Sequence, residues 1–250
     1  MAQASELGVL VDAALAGKAV GAKDLDHLDG PAAAFNYIRV AEIVSSCHKT
    51  GRVRPPVLDW GCGYGQVSWL LQRRGVQVTP FDIERRQARQ VMPPLSLVNV
   101  EYGADPIGLP YTSASFGAVL SVGVLEHVSD IQASLGEVNR VLRPGGLFFI
   151  FMFPNRYSWA EWLAEQRRIS VHPDKFTFRE TISLLNGKGF DVEEKRRRNF
   201  LPRNLTGCGP RVKTLYGRYY RQIESLDRVL ASWPPTSIFS GVLELVARKR

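Results

Sequence analysis

Three glycines within five residues follow a short apolar run in the segment VLDWGCGYGQ, namely Gly61, Gly63 and Gly65. A strand that turns sharply into a helix needs glycines where a ligand approaches the backbone, since side chains would block it. The spacing is G-x-G-x-G, and Gln66 stands where a dinucleotide fingerprint has its third glycine, which disfavours an NAD-dependent oxidoreductase. The preceding Asp59 suits a cationic ligand better than a pyrophosphate. A tight turn with a purely structural role is the alternative interpretation.

From residue 57 onward, short β-rich runs alternate with helical patterns, which favours βαβ units around a parallel sheet. The predicted strands cover residues 57–60, 76–82, 98–102, 118–122, 147–153, 190–197 and 242–248. The predicted helices between them cover residues 66–74, 84–90, 130–142 and 177–188. The third of these helices stops at the sequence RPGG, a strong helix-ending signal.

Segments on both sides of this pattern complete the expected organisation. Residues 1–54 predict an N-terminal helical segment, and residues 55–250 predict one α/β domain with insertions at 155–175 and 199–236. The second insertion predicts a helix that ends at a Pro-Pro pair. Its expected apolar stripe consists of Leu215, Tyr219, Ile223, Leu226 and Leu230.

The composition of the 250 residues is that of a globular protein, with 45% hydrophobic and 22% charged residues. No run approaches the ~18 uncharged apolar residues that span a bilayer. The first residues lack the basic flank of a secretory signal. The three cysteines have no metal-like spacing, so we interpret them as reduced thiols and expect a cytoplasmic protein without a metal site.

The positive charge of the chain is concentrated in one region. The net charge is +8, and the segment from Lys195 to Arg221 contains nine Lys or Arg residues but no Asp or Glu. The remaining residues of the chain therefore have a net charge of 8 − 9 = −1. A local basic patch of this kind indicates a particular anionic partner or surface.

A second acidic residue, Asp82, ends the second predicted strand 23 residues after Asp59. In this position a carboxylate binds a ribose diol, or caps the following helix, or does both. Asp105, the pair LP at 109–110, GVLEHV at 123–128 and LRPGG at 142–146 then follow in order. With these linked motifs, the sequence from about 57 to 154 resembles the class I S-adenosylmethionine-dependent methyltransferases of the methyltransferase type 11-like group.

The resemblance implies a Rossmann-like, doubly wound sheet of seven strands with helices on both faces. The sheet would be mostly parallel, with a C-terminal antiparallel hairpin made by residues 190–197 and 242–248. The implied cofactor is S-adenosylmethionine, which leaves as S-adenosylhomocysteine.

The resemblance also assigns cofactor-binding roles to individual residues. These are Asp59 for the amino group, Gly61, Gly63 and Gly65 beneath the methionine portion, Asp82 for the ribose hydroxyls, Ile83 against adenine, Asp105 for the adenine amino group, and Val122, Gly123 and Glu126 along the floor after the fourth strand. One departure concerns Pro106, which has no N–H to offer to adenine, so the sequence leaves open how adenine is held.

Methyl transfer to a hydroxyl needs a base that removes its proton. His127 and His172 are the candidates, although His127 could merely orient its loop and His172 could be a solvated loop residue. Tyr157, Trp159 and Trp162 could form a wall of the acceptor pocket or pack inside a lid. We expect this first insertion and the N-terminal helices to close over the site.

Arg196, Arg197 and Arg198 lie in the basic patch and are the candidates for binding an anionic group. We therefore hypothesise an O-methyltransferase whose small-molecule, glycan or lipid-linked acceptor, or its carrier, is anionic. Peripheral contact with an anionic membrane would also use this charge. An RNA or other nucleic-acid methyltransferase stays a less favoured alternative, because the sequence shows no stacking platform of interleaved aromatic residues. A non-catalytic protein that binds the cofactor is a third possibility.

Overall fold

The computed structural model describes residues 5–167, 174–203, 205 and 208–250. Its strands are β1 (Val57–Trp60), β2 (Val78–Asp82), β3 (Glu101–Tyr102), β4 (Phe116–Val122), β5 (Leu142–Pro154), β6 (Phe190–Arg198) and β7 (Val242–Lys249). Its helices are α1 (Glu6–Ala19), α2 (Pro31–Lys49), α3 (Gln66–Arg73), α4 (Ile131–Val141), α5 (Trp159–Gln166), α6 (Phe178–Gly187), α7 (Pro210–Arg218), α8 (Tyr220–Ser232) and α9 (Pro234–Ser237). Within the described residues, no helix has the length and hydropathy needed to cross a bilayer.

The seven strands form one sheet in the order β3-β2-β1-β4-β5-β7-β6. The first five strands are parallel to one another, and β7 runs antiparallel to both of its neighbours. The predicted seven-stranded sheet with a C-terminal antiparallel hairpin is therefore confirmed. Because β7 is antiparallel to both β5 and β6, β6 runs in the same direction as β5. It therefore ends at the same edge of the sheet as β1, β4 and β5.

Two apolar clusters bury the two faces of the sheet. On one face, residues such as Leu120 and Phe149 pack with the helices α1, α2 and α3. On the other face, Phe148 and Ile150 pack with α4 and α6. Successive residues of a strand point to opposite faces, so the continuous apolar run of β5 is what a sheet covered on both sides requires.

The segment between β2 and β3 differs from the prediction. The predicted helix over 84–90 is wrong, because the structure has two short 3₁₀ helices there, Gln87–Val91 and Leu95–Leu97. The pair Pro93-Pro94 lies between them and interrupts regular backbone hydrogen bonding. The predicted third strand, 98–102, is correspondingly reduced to its last two residues.

The second insertion also departs from the prediction, since its described residues form three helices in place of the single expected one. Tyr219 separates α7 from α8, and the Pro-Pro pair begins α9. The expected apolar stripe is divided between core and surface: Ile223 and Leu230 are partly buried, whereas Leu215 and Leu226 are exposed. The cause is that α8 turns two acidic residues, Glu224 and Asp227, toward the protein interior.

Candidate active site

The glycine turn joins β1 to α3 in a backbone conformation that L side chains rarely adopt. Its three glycines have φ values of 69°, 58° and 86°. A Cβ on Gly61 would lie 2.6 Å from a methyl carbon of Val124, so this position has no room for a side chain. A Cβ on Gly63 would meet nothing nearer than the Gln66 side chain at 3.9 Å. The turn is therefore closed toward the protein at Gly61 and open at Gly63.

Asp82, at the end of β2, accepts hydrogen bonds from two backbone N–H groups. Its Oδ2 lies 2.8 Å from the nitrogen of Gly63, and its Oδ1 lies 2.9 Å from the nitrogen of Glu84. The carboxylate is thereby fixed against the glycine turn. The neighbouring Ile83 is apolar but 52% exposed. An open turn, a fixed carboxylate and an exposed apolar side chain are the features that a nucleoside with a ribose diol and a flat base would use.

Asp59 lies beneath the turn and is only 2% exposed. The hydroxyl of Ser68, in α3, donates a 2.6 Å hydrogen bond to its Oδ2. Burial raises the pKa of Asp59 to about 6, the nearby charge of Asp82 adds to this increase, and the Ser68 hydrogen bond opposes it. The structure thus shows Asp59 joining β1 to α3, and its predicted contact with a ligand's amino group stays a prediction.

The loop after β4 provides the next side of the site. Gly123 has a φ of 69°, and its N–H donates to the carbonyl oxygen of Phe151 at 3.0 Å. Glu126 is buried, whereas His127 is exposed and its backbone N–H donates to the Val124 carbonyl oxygen at 2.8 Å. This loop begins where β4 ends at Val122, so His127 lies at the carboxyl edge of the sheet. The other predicted base, His172, lies outside the described residues.

Asp105 lies in an exposed loop and organises it. Its Oδ1 accepts a 2.9 Å hydrogen bond from the nitrogen of Ile107, two positions along the chain. Backbone N–H groups of Gly108 and Ile107 lower the pKa of Asp105. Pro106 has no N–H, so the two residues after it provide the donors. The predicted contact of Asp105 with an adenine amino group stays a prediction.

The N-terminal segment reaches the glycine turn, a contact that no sequence motif indicated. The hydroxyl of Tyr64, inside the turn, donates a 2.6 Å hydrogen bond to Asp24, in the loop between α1 and α2. Arg86, four residues after Asp82, forms an ion pair with Asp24 and lies 5.3 Å from the Tyr64 ring centroid. Three separate segments of the chain therefore meet at the side of the turn.

Residues of α2 also contribute to this side. Burial raises the pKa of Tyr37, in α2, while the side chain of Gln66, the first residue of α3, opposes this increase. His27 packs edge-on against Tyr37 with ring centroids 5.9 Å apart, and burial lowers the pKa of His27.

The aromatic residues of the first insertion have different environments. The indole N–H of Trp159 donates a hydrogen bond to the carbonyl oxygen of Phe200 at 2.7 Å. The backbone N–H of Trp159 donates to the carbonyl oxygen of Phe239 at 3.1 Å. Trp159 thus attaches α5 to the segments beside β6 and β7. Tyr157 and Trp162 are exposed, and the predicted role of the three aromatic residues in an acceptor pocket stays a prediction.

A basic groove with a volume of about 780 Å³ borders β6, between α6 and α8. Six cationic side chains line it: Arg179, Lys195, Arg196, Arg197, Arg198 and Arg228. Arg197 lies over the ring of Phe178 at 4.8 Å from its centroid. The structure therefore brings the three predicted arginines together, and it adds Arg179 and Arg228, which lie outside the basic run of the sequence.

Some cations of the basic run are paired with acidic residues that are distant in sequence. Arg203 forms ion pairs with Glu224 at 2.5 Å and Asp227 at 2.9 Å, and all three side chains are buried. Arg198 lies 3.8 Å from Glu224, and its pKa is lowered by burial and by the nearby charge of Arg39. The run that looks uncompensated in the sequence is thus partly neutralised by the inward face of α8.

Comparison with known proteins identifies the central part of the chain. Residues 58–150 match the family described as "Methyltransferase domain". The ubiquinone biosynthesis O-methyltransferase of Methylocella silvestris is 34% identical over 146 residues, which cover 48% of this chain and 55% of that protein. The demethylmenaquinone methyltransferase of Tropheryma whipplei is 35% identical over 104 residues, covering 40% and 44%. The chain spans about half the length of these relatives.

Solved structures share the fold of this chain. The 1,6-didemethyltoxoflavin-N1-methyltransferase of Burkholderia thailandensis, crystallised with bound 1,6-didemethyltoxoflavin and S-adenosylhomocysteine, superposes with a TM-score of 0.52. The alignment covers 85% of this chain and 78% of that one at 21% identity.

Proposed function

Because residues 58–150 place this chain in the class I S-adenosylmethionine-dependent methyltransferase family, we propose that it methylates a hydroxyl oxygen of a small-molecule, glycan or lipid-linked acceptor. S-adenosylmethionine is the methyl donor of the family, and S-adenosylhomocysteine is the product. The observation that carries the proposal is the turn that is open at Gly63 beside a carboxylate fixed by backbone donors.

The residues around the turn fit the donor. Gly61, Gly63 and Gly65 would lie beneath its methionine portion, with Val122, Gly123 and Glu126 along the adjoining floor. Asp82 would bind the ribose hydroxyls, and Ile83 would cover the adenine. We retain Asp59 and Asp105 as candidates for the amino group and the adenine amino group. Asp59 already accepts a hydrogen bond from Ser68, and Asp105 accepts one from Ile107. Each carboxylate therefore has only its remaining lone pairs to accept hydrogen bonds from S-adenosylmethionine.

When bound, S-adenosylmethionine supplies a methyl group on a positively charged sulfur, and the acceptor oxygen forms the new bond as the carbon–sulfur bond breaks. The task of the protein is to align the acceptor, to exclude water and to take the proton that the hydroxyl loses. His127 is our candidate for that base, since it is exposed at the carboxyl edge directly after β4. His172 is the second candidate.

The N-terminal segment 1–54 and the insertion 155–175 would form the cover of the site, and residues 55–250 the transferase domain. Support comes from the contacts of Asp24 with Tyr64 and Arg86, which tie the loop between α1 and α2 to the glycine turn. Tyr157 and Trp162 are exposed and thus accessible to an acceptor. Trp159 would position them through its bond to Phe200.

We infer that the acceptor, or its carrier, is anionic. The basic groove supports this, since Arg196, Arg197 and Arg198 line it together with cations of α6 and α8, and β6 ends at the same sheet edge as the glycine turn. The names of the relatives mention ubiquinone biosynthesis and demethylmenaquinone, so a lipid-soluble phenolic acceptor is one member of the proposed class.

Calorimetric titration with S-adenosylhomocysteine tests the cofactor site. We expect saturable binding by the wild type, and a loss of about tenfold or more in affinity for Asp82→Asn, because a charged hydrogen-bond acceptor is removed. Gly63→Val should abolish binding, because it fills the open side of the turn. The matched control is Asp191→Asn, an exposed acidic residue in β6. Absence of binding to correctly folded wild type would refute the proposal.

Transfer of a labelled methyl group tests the reaction and the acceptor class. Phenolic, glycan and lipid-linked hydroxyl acceptors should be compared as pairs with and without a phosphate or carboxylate. We expect turnover to favour the anionic member of a pair. Labelling of RNA in place of these acceptors would favour the nucleic-acid alternative, and cofactor binding without labelling of any acceptor would favour a non-catalytic role.

A further inference from the structure

The outer face of α7 and α8 carries a stripe of exposed apolar side chains. Within each helix these side chains are three or four residues apart, so those of α7 share one side of α7 and those of α8 share one side of α8. The stripe, which we call the α7–α8 face, consists of Val212, Leu215, Tyr219, Leu226, Val229 and Trp233, each between 42% and 63% exposed. Six large exposed apolar residues on adjoining helices are more than the scattered singles of an ordinary surface.

The charges beside this stripe all have one sign. Residues 210–233 contain two acidic residues, Glu224 and Asp227, and both are buried in the ion pairs with Arg203. Five cationic residues of the same helices are exposed: Arg211, Lys213, Arg218, Arg221 and Arg228. The burial of the acidic residues is thus what makes the surface of this insertion purely basic.

The two helices are attached to the protein by the opposite side. The Tyr220 ring packs against Phe35 of α2 with centroids 5.9 Å apart, and Ala231 is buried. At its C-terminal end, α8 leads through α9 to Phe239, whose carbonyl oxygen accepts the backbone N–H of Trp159. The C-terminal end of α8 is thereby linked to α5, in which Trp162 is also exposed.

We propose that the α7–α8 face docks on the surface of an anionic lipid bilayer. An interfacial helix places apolar and aromatic side chains at the boundary between headgroups and acyl chains and keeps cations beside the phosphates. A second copy of the chain is a poorer occupant. A twofold contact would bring this face against itself and would oppose Arg218 and Arg221 with the same cations.

Vesicle flotation tests the docking without any acceptor present. The full chain is mixed with vesicles of phosphatidylcholine alone, or of phosphatidylcholine with phosphatidylglycerol. We expect it to float with the anionic vesicles and to remain in solution with the neutral ones. Equal behaviour with both kinds of vesicle would overturn the proposal. So would a stable dimer in solution that is lost when Leu226 and Val229 become serine.

Two sets of variants locate the contact. Leu226→Ser with Val229→Ser should abolish flotation, while Leu15→Ser, an exposed apolar residue of α1, should not change it. Arg218→Gln with Arg221→Gln should lower the partition coefficient about thirtyfold, since each cation near such a surface contributes roughly a factor of five. The charge control is Lys49→Gln, at the exposed end of α2. Similar losses for variants and controls would contradict the proposal.

A spectroscopic readout reports on the face directly. Trp233 is exposed, so anionic vesicles should shift its fluorescence emission to shorter wavelength as its indole enters the interface. The shift should be absent in Trp233→Phe, which retains an aromatic side chain and should still float. If the protein binds the vesicles but the emission of Trp233 does not change, another surface makes the membrane contact and the proposal is wrong.

Discussion

The two halves of the carboxyl edge of the sheet are built by different means. Around β1, β2 and β4, the site is shaped by backbone: glycines with positive φ, and a carboxylate, Asp82, held by two backbone N–H groups. Around β6 and the second insertion, it is shaped by charged side chains. There Arg203 is buried with Glu224 and Asp227, while other cations line an open groove.

This difference bears on how each half can vary. A backbone cradle depends on a few positions of fixed conformation, and changing any of them removes it. A surface made of long charged side chains can change its ligand by substitution without altering the sheet. The ion-pair cluster of Arg203 is the exception in its half, because it combines burial with charge. Substitutions in each half can test this contrast, beginning with that cluster.

Removing Asp227 should have the largest effect. Asp227→Ala leaves Arg203 with one fewer counter-charge and deprives the backbone N–H groups of Asn199 and Leu201 of their acceptor. Breaking a buried charged network in this way should lower the free energy of unfolding by about 3–5 kcal/mol. Urea denaturation measures this loss.

The surface ion pair of Asp191 with Arg250 supplies the control, and Asp191→Ala should cost less than about 1 kcal/mol. Where Asp227→Ala is still folded, its affinity for S-adenosylhomocysteine should equal that of the wild type. A large loss of cofactor affinity would show that the two halves are coupled and would break the contrast.

The pH dependence of stability should report on Asp59 in the backbone-built half. Its pKa is raised from 3.8 to about 6 in the folded protein, so between these values the folded state holds more protons than the unfolded state. Stability contributed by this group is therefore greatest below pH 4 and falls as the pH rises to 6, by an amount on the order of 2–3 kcal/mol. Asp59→Asn retains an acceptor for Ser68 and should remove this fall.

Asp105 is the control, because its contribution to stability changes with pH in the opposite direction. The pKa of Asp105 is lowered by backbone donors, so its contribution is present at neutral pH and is lost as the pH falls. Denaturation curves at several pH values for wild type, Asp59→Asn and Asp105→Asn separate the two. If the difference between wild type and Asp59→Asn does not change between pH 4 and 6, the buried carboxylate does not titrate as described.

Much of the backbone-built half can be predicted from sequence. The glycines and the strand ends that carry Asp59 and Asp82 are local features, and their order along the chain determines which strand ends meet. The prediction that failed in this half is the helix at 84–90. A Pro-Pro pair follows this segment, and its restriction of the backbone outweighed helix propensity. The contacts of Tyr64 with Asp24 could not be read locally, because they join residues 40 positions apart.

The charge-built half was less accessible to sequence reasoning. The basic run is visible in the sequence, but its partners Glu224 and Asp227 lie beyond it in the chain, and Arg179 lies before it. Periodicity predicted one continuous apolar stripe, but the structure divides it between core and surface, because periodicity could not say which side of α8 faces the core. Burial of two acidic residues decided this, and it followed from a tertiary ion pair that propensity does not encode.

The smallest expected effect concerns the open groove. Arg179→Gln with Arg228→Gln removes two exposed cations from opposite walls, on α6 and α8, and leaves the sheet unchanged. Exposed charges contribute roughly 0.2–1 kcal/mol each, so the KM of an anionic acceptor should rise about two- to thirtyfold, and less at high salt. The kcat and the affinity for S-adenosylhomocysteine should not change, and Lys49→Gln should have no effect. An equal loss of cofactor affinity would instead mean that the groove and the glycine turn form one site, which would remove the distinction between the two halves.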